Sequence, residues 1–296
     1  MLAARHPFVL CADDFALTPG VSRAILALAE AGRLTATGAM TNRSHWPDFA
    51  PALKALDGRI AAGVHVNLTL GAPLGPMPRL APAGMLPPFG RLARLAFTGG
   101  LPKAEIEAEI ARQLDAFEEA FGRPPDFVDG HQHVQVLPGV RGALLAVLAR
   151  RGLAGCLWLR NSGDRPAAIV RRGIALRKAL VIAGLATGFA AAARRAGFAT
   201  NAGFAGVSAF DPHRDFGADF ARFLVAPGAR HLVMCHPGEA EDAELAAIDP
   251  VVETRPQEFA FLRSGRFPDL CAAAGAGIVR RWPEAPAAAG GETFEG

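Results

Sequence analysis

Short apolar runs alternate along the chain with stretches of helical period. Phe8-Val-Leu-Cys-Ala12 is continuous enough for a buried strand. Thr18-Pro19 reads as a cap followed by a first-turn proline, and Val21, Ile25 and Leu28 then share one helical face until Gly32. Thr35–Met40 predicts a second strand, Trp46–Leu56 a helix, and Ile60–Leu70 contains a third strand. Lys103–Phe121 is the clearest helix. Ile106, Ile110, Leu114, Phe117 and Phe121 form its apolar stripe, and Gly122 and Pro124 stop it. A fourth strand starts at Phe127-Val128, Val140–Arg150 is helical, and Gly155–Arg160 is a fifth strand. Pro166–Ala196 predicts two helices around Gly173. Beyond it come a short strand at Gly206–Phe210, a helix at Phe216–Leu224 and a strand at His231–Cys235. Pro256–Leu262 is a helix with Thr254 as cap, and Ile278-Val279 closes the sheet.

Strand alternating with helix implies a parallel sheet with crossovers. No composition shift marks a linker, so the expectation is an α/β fold of one domain over residues 1–282, a distorted (β/α) barrel. The Ala, Gly and Glu tail, 283–296, is expected to be disordered. The Pro- and Gly-rich stretch Gly71–Gly100 is long for a connector and reads as a functional loop.

The chain has 296 residues, half of them hydrophobic (51%), which is ample for a core. The net charge of +3 is dispersed, with no basic block to track a nucleic-acid backbone, and no nucleic-acid partner is expected. The four cysteines are far apart and suggest no disulfide framework. Cys11, Cys156 and Cys235 lie in apolar runs and read as buried. No secretory signal is legible before Pro7, and the expectation is a cytoplasmic protein. Ala179–Ala193 is uncharged but shorter than the roughly 20 residues a membrane span needs. It reads as a buried helix, with a membrane-facing helix as the alternative. A symmetric dimer is the general expectation for a soluble enzyme.

The polar residues that interrupt this pattern fall where apolar runs give out. Asp13-Asp14 follows the first strand, His65 and Asn67 end the third, Asp129, His131 and His133 follow the fourth, and His236 follows His231–Cys235. In a parallel barrel those C-terminal ends share one rim, where active sites are built. A hydrolytic metal needs few protein ligands and an open position for water. Asp14, His65 and His131 supply one carboxylate and two imidazoles, a set that suits zinc, cobalt, manganese or magnesium. Asp13 is then free to act as base, and His236 to protonate the leaving amine or support the oxyanion. Asp249, Glu253 and Arg255 are candidates to orient His236. In Asp129-Gly-His-Gln-His133 an extended backbone would put both imidazoles on one side. His133, Asn67, Arg160 and Arg255 are candidate substrate contacts. Asn161, Trp46 and Trp158 are further candidates for touching a sugar, with core packing the alternative for each tryptophan.

Four segments in order carry a family resemblance: Ala12-Asp-Asp-Phe15, Gly63-Val-His-Val-Asn-Leu-Thr69, Asp129-Gly-His-Gln-His133 and Met234-Cys-His-Pro-Gly238. Over Phe8–Leu262 the chain resembles the YdjC-like carbohydrate deacetylases, which include chitooligosaccharide and hopanoid-biosynthesis deacetylases. The resemblance implies a barrel related to that of the polysaccharide deacetylases. It places an Asp-His-His metal site on Asp14, His65 and His131, and matches Asp13 to the base and His236 to the late histidine. The implied reaction is hydrolysis of an N-acetyl group on a glucosamine-containing oligosaccharide or glycolipid, with one divalent ion, magnesium or zinc foremost. A glycolipid substrate would add a peripheral membrane contact. Two departures stand out: Ala16 where glycine is usual, and Gln135 where many members have histidine. The competing readings are another metal hydrolase on the same scaffold, such as a phosphoesterase or amidohydrolase, and a non-catalytic sugar-binding protein.

Overall fold

The computed structural model describes residues 6–282; the expectation of a disordered tail falls outside them, as does most of the segment before Pro7. Among the described residues nine strands form one sheet: β1 (His6–Phe15), β2 (Ala36–Ala39), β3 (Ala61–Val66), β4 (Phe127–Gly130), β5 (Trp158–Leu159), β6 (Ala199–Thr200), β7 (Phe204–Ala205), β8 (His231–Cys235) and β9 (Ala276–Ile278). Their order is β6-β5-β4-β3-β2-β1-β8-β7, with β9 also on β1. Every pairing between these strands is parallel.

The two ends of the sheet are consecutive in sequence. β6 pairs with β5 and β7 with β8, and only residues 201–203 separate them. One extended segment thus closes the curled sheet along a seam, in place of a strand–strand ladder. Asn201 pins the seam: its Oδ1 accepts from the Asn161 backbone N–H at 2.7 Å, and its Nδ2 donates to the Asn161 and Gly203 carbonyls.

The helices are α1 (Pro19–Glu30), α2 (Trp46–Lys54), α3 (Phe89–Phe97), α4 (Lys103–Phe121), α5 (Val140–Arg150) and α6 (Pro166–Arg172). They continue with α7 (Leu176–Leu185), α8 (Phe189–Arg195), α9 (Phe216–Phe223), α10 (Ala243–Ile248), α11 (Arg255–Arg263) and α12 (Arg266–Ala273). The predicted starts have physical causes. Thr18 caps α1 by accepting from the Val21 N–H at 3.3 Å, and Pro19 needs no hydrogen bond in the first turn. Gly122 ends α4 in the left-handed conformation that glycine adopts freely. Thr254 precedes α11, but its hydroxyl makes no capping bond.

Strand alternation sorts side chains between two layers. Phe8, Leu10 and Ala12 of β1 face the helices, where the larger core lies. Val9 and Cys11 face the barrel interior with Ala36, Ala61, Phe127, Trp158, Leu232 and Met234. Trp158 stacks on Phe127 at 4.3 Å and meets Trp282, whereas Trp46 stacks on Phe117 and Phe121. Both tryptophans are core residues and neither is placed to touch a sugar.

Several expectations need correction. The loop Gly71–Gly100 contains α3, whose Phe89, Leu92 and Ala96 pattern is amphipathic although Pro87 and Pro88 precede it. Pro166–Ala196 holds three helices, and the short strands lie at β6 and β7, before Gly206. Cys156 is exposed, because β5 starts only at Trp158. The apolar stretch Ala179–Ala193 is not a buried helix: it breaks between α7 and α8, and Val181 is 62% exposed.

Candidate metal centre and pocket

The interior rows that carry apolar side chains low in the barrel carry polar ones at its C-terminal rim. Two positions beyond Cys11 stands Asp13, two beyond Gly63 stands His65, two beyond Phe127 stands Asp129, and two beyond Trp158 stands Arg160. His236 follows Met234 by the same step. Because the strands are parallel and in register, with His65 level with Asp129, these groups meet at one depth.

Asp14 joins them by breaking the alternation. As the next residue after Asp13 it would face the helices, but the β1–β2 register shifts there and Asp14 takes φ +71°. This bulge turns both carboxylates to the interior. Gly38 on β2 keeps room for the His65–Asp129 pair, since a Cβ there would stand 3.0 Å from Asp129 Oδ1 and 3.2 Å from His65 Nδ1.

Asp14 Oδ1 lies 2.9 Å from His131 Nδ1 and 3.3 Å from His65 Nε2. All three residues are buried. His65 Nδ1–H donates to Asp129 Oδ1 at 2.7 Å, and a carboxylate can only accept, so this bond fixes the tautomer. The lone pair of His65 Nε2 then faces an anionic oxygen, an arrangement that requires a positive centre between them. Without a metal a proton fills that role. Burial opposes the charge on His65, but Asp129 and Asp14 outweigh it and hold the ring's pKa up at about 10. Burial likewise opposes ionisation of Asp14, yet Arg255 and His131 keep its carboxyl well below the usual range. The donor set, its buried setting and its oriented second nitrogen therefore fit a divalent cation.

A second trio, Cys11, Asp13 and Asp129, is equally close but already holds a cation. Arg160 is fully buried among them. It makes a bidentate pair with Asp13 at 2.6 and 2.5 Å, lies 2.5 Å from Asp129 Oδ2, and donates to Cys11 Sγ at 3.0 Å. The expectation that Arg160 contacts substrate is therefore corrected: its guanidinium is consumed beneath the site. Burial would raise the Asp13 pKa, and Arg160 overrides this and brings it to about 2.

His236 Nε2 stands 3.9 Å from Asp13 Oδ2. Its backbone N–H donates to Glu258 at 2.6 Å, its ring meets Phe210 edge-on at 5.4 Å, and its buried Nδ1 has no partner among the described residues. Burial pushes its pKa down to about 4. None of Asp249, Glu253 and Arg255 hydrogen-bonds the ring. Asp249 and Asp14 instead share the Arg255 guanidinium, each within 2.6 Å of Nη2. Glu258 is buried against the His236 backbone, and burial raises its pKa to about 7.

The extended reading of His131-Gln-His133 fails. β4 ends at Gly130, and a 3-10 turn follows with Gln132 at φ +53° and His133 at φ +61°. His131 turns to Asp14, while His133 pairs with Ser162 at 3.1 Å and packs on Phe204. Asn67 is buried and shapes the turn after β3, accepting from Thr69 and Leu70 N–H. The Asn161 backbone pairs with the Asn201 side chain, and the Asn161 side chain pairs with the Gly163 backbone.

A pocket of about 570 Å³ opens above the cluster. Asp13, Asp14, His65, His131, His133, His236 and Arg255 line it, as do the apolar side chains Phe89, Val181, Leu185, Phe210 and Val251. Asn67 and Arg160 do not.

A family model described as YdjC-like protein matches residues 7–273. The chain belongs to the YdjC-like family. Over 146 residues it is 35% identical to chitooligosaccharide deacetylases of Enterobacter sp. (strain 638) and Escherichia fergusonii, a stretch covering 49% of this chain and 57% of each relative. The match thus spans little more than half the length of those relatives. A crystal structure of an Enterococcus faecalis V583 protein with a proposed role in cellobiose-phosphate cleavage superposes with a TM-score of 0.66. It covers 93% of this chain and 97% of its own at 21% identity, a likeness of fold alone.

Proposed function

We propose that this protein is a divalent-metal-dependent hydrolase that removes the N-acetyl group from an amino sugar. The observation that carries the reading is the His65 Nε2–Asp14 Oδ1–His131 Nδ1 cluster at the floor of an open pocket, with Asp13 and His236 beside it. The similarity to deacetylases that act on chitooligosaccharides supports the substrate class.

Asp14, His65 and His131 would hold the ion, which when bound polarises the acetyl carbonyl and acidifies a water. The rest is the work of the chain's own side chains. Arg160 fixes both oxygens of Asp13, so the carboxylate faces the pocket in one orientation, as a base for the attacking water must. His236 is neutral near pH 7, so it receives a proton during the reaction and passes it to the departing amine. The 3.9 Å between Asp13 Oδ2 and His236 Nε2 is too long for a direct hydrogen bond, but it supports the reading that both groups serve one reacting centre.

The test is acetate release from diacetylchitobiose by protein stripped of metal and reloaded with zinc, magnesium, cobalt or manganese. Activity that returns with metal and is absent in His65→Ala and His131→Ala supports the reading. Stoichiometric metal without acetate from chitooligosaccharides or acetylated glycolipids would refute it.

A further inference from the structure

We propose that α7, with the adjoining ends of α6 and α8, is a docking face for an anionic lipid bilayer, and that it sets the pocket mouth against the headgroups. Helix α7 buries Ala179 and Ile182 against the barrel. Its opposite face presents Leu176 and Leu180, one turn apart, and Val181; the end of α6 adds Val170. These four are among the exposed large apolar side chains, and they cluster within twelve residues. Across Leu176–Arg195 only 22% of the most apolar window is buried. The segment does not cross a membrane in this fold, because it is broken between α7 and α8 and Phe189 and Ala193 anchor α8 in the core. A basic amphipathic helix held on a globular body lies in the plane of an interface instead.

Charge names the occupant. Between residues 165 and 210 the chain places seven of its 31 basic residues and none of its 28 acidic ones. Arg172 is buried with Asp164, but Arg165, Arg171, Arg177, Arg194 and Arg195 are exposed and form no ion pair among the described residues. An exposed apolar face on a segment whose exposed arginines carry no acidic partners among the described residues matches an anionic headgroup layer. A second copy of the chain fits poorly, because a two-fold contact would press this positive patch against its like.

The face is continuous with the pocket. Val181 belongs to both, and Arg177, Lys178, Ile182 and Leu185 of α7 form one wall. Lys178 also donates to the Ser208 carbonyl and sits 3.8 Å from the Phe210 ring centroid, and that ring packs on His236. Docking therefore acts on the element that borders the reacting groups. This inference rests on the surface alone and stands whether or not the deacetylase reading does.

The experiment is co-sedimentation of the full chain with vesicles of phosphatidylcholine, alone or mixed with phosphatidylglycerol, at low and high salt. Binding is expected to require phosphatidylglycerol, to weaken with salt, and to fall about tenfold in the double variant Leu176→Glu, Leu180→Glu. Neither leucine packs in the core or lines the pocket, so circular dichroism and thermal melting should be unchanged. A second variant, Arg194→Gln with Arg195→Gln, should weaken binding without altering the apolar face. No binding of wild type to either vesicle, or binding that both variants retain, would overturn the proposal. So would a dimer in sedimentation velocity that the leucine variant abolishes, since the face would then belong to a second copy.

Discussion

Asp129 Oδ1 accepts the Nδ1–H of His65 at 2.7 Å, and this one bond decides which nitrogen of His65 faces Asp14. Replacing Asp129 with asparagine keeps the shape but offers either a donor or a weaker acceptor. Zinc or magnesium affinity should fall about 10- to 100-fold, the usual cost of losing such a support. Competition with a chromophoric chelator measures it. An unchanged affinity would mean that His65 is oriented by something other than Asp129.

Arg160 neutralises two buried carboxylates at once. In Arg160→Met, Asp13 and Asp129 remain buried without their cation, and the protein should lose about 3–5 kcal/mol of stability. The urea midpoint reports this. A variant as stable as wild type would show that Arg160 adds no net stabilisation and acts on Asp13 geometry alone.

Ala16 adopts φ +68°, where a Cβ crowds the following carbonyl and glycine does not. Ala16→Gly removes that strain while adding some unfolded-chain entropy. The expected net effect is stabilisation of about 0.5–1 kcal/mol, read from the shift of the denaturation midpoint; a loss of stability would contradict it.

His231 is buried, donates through Nε2 to the Phe223 carbonyl, and is pushed by burial to a pKa of about 4. An unfolded histidine binds its proton near pH 6.5. Between these values the unfolded state holds more protons than the native one, so stability falls as pH drops from about 6.5 towards 4. The full effect is on the order of 3 kcal/mol for a shift of this size. His133 and His236, lowered to about 3 and about 4, add slope of the same sign. His231→Gln should flatten the pH dependence of the urea midpoint across this window by one proton's share. An undiminished slope would assign it to the pocket histidines.

How far the sequence reached depended on whether a residue's role was local. The ends of α4, α5 and β8 match the predicted bounds because caps, glycines and apolar runs act on their immediate neighbours. Asp14, His65 and His131 come together as expected because parallel strands bring their C-terminal ends to one rim. The errors are tertiary. Arg160 looked like a rim cation, and only the spatial closeness of Asp13 and Asp129 reveals that it is spent inside. The two histidines after β4 looked extended because nothing in the sequence announces left-handed backbone at Gln132 and His133. Asp129 did carry a signal: it stands two residues after buried Phe127, as His65 stands two after Gly63, and equal spacing on paired strands predicts contact.

The strand that holds both aspartates also has a consequence for biosynthesis. β1 lies between β2, made soon after it, and β8 and β9, made last. During synthesis the edge of β1 that pairs with β8 waits without a partner until residues beyond His231 emerge, so Asp14, His65 and His131 can meet through β1 to β4 first and His236 and Arg255 join them last. Contacts spanning more than two hundred residues are slow to form, and the exposed edge of β1 is where a growing or truncated chain would be captured by chaperones or by its own neighbours.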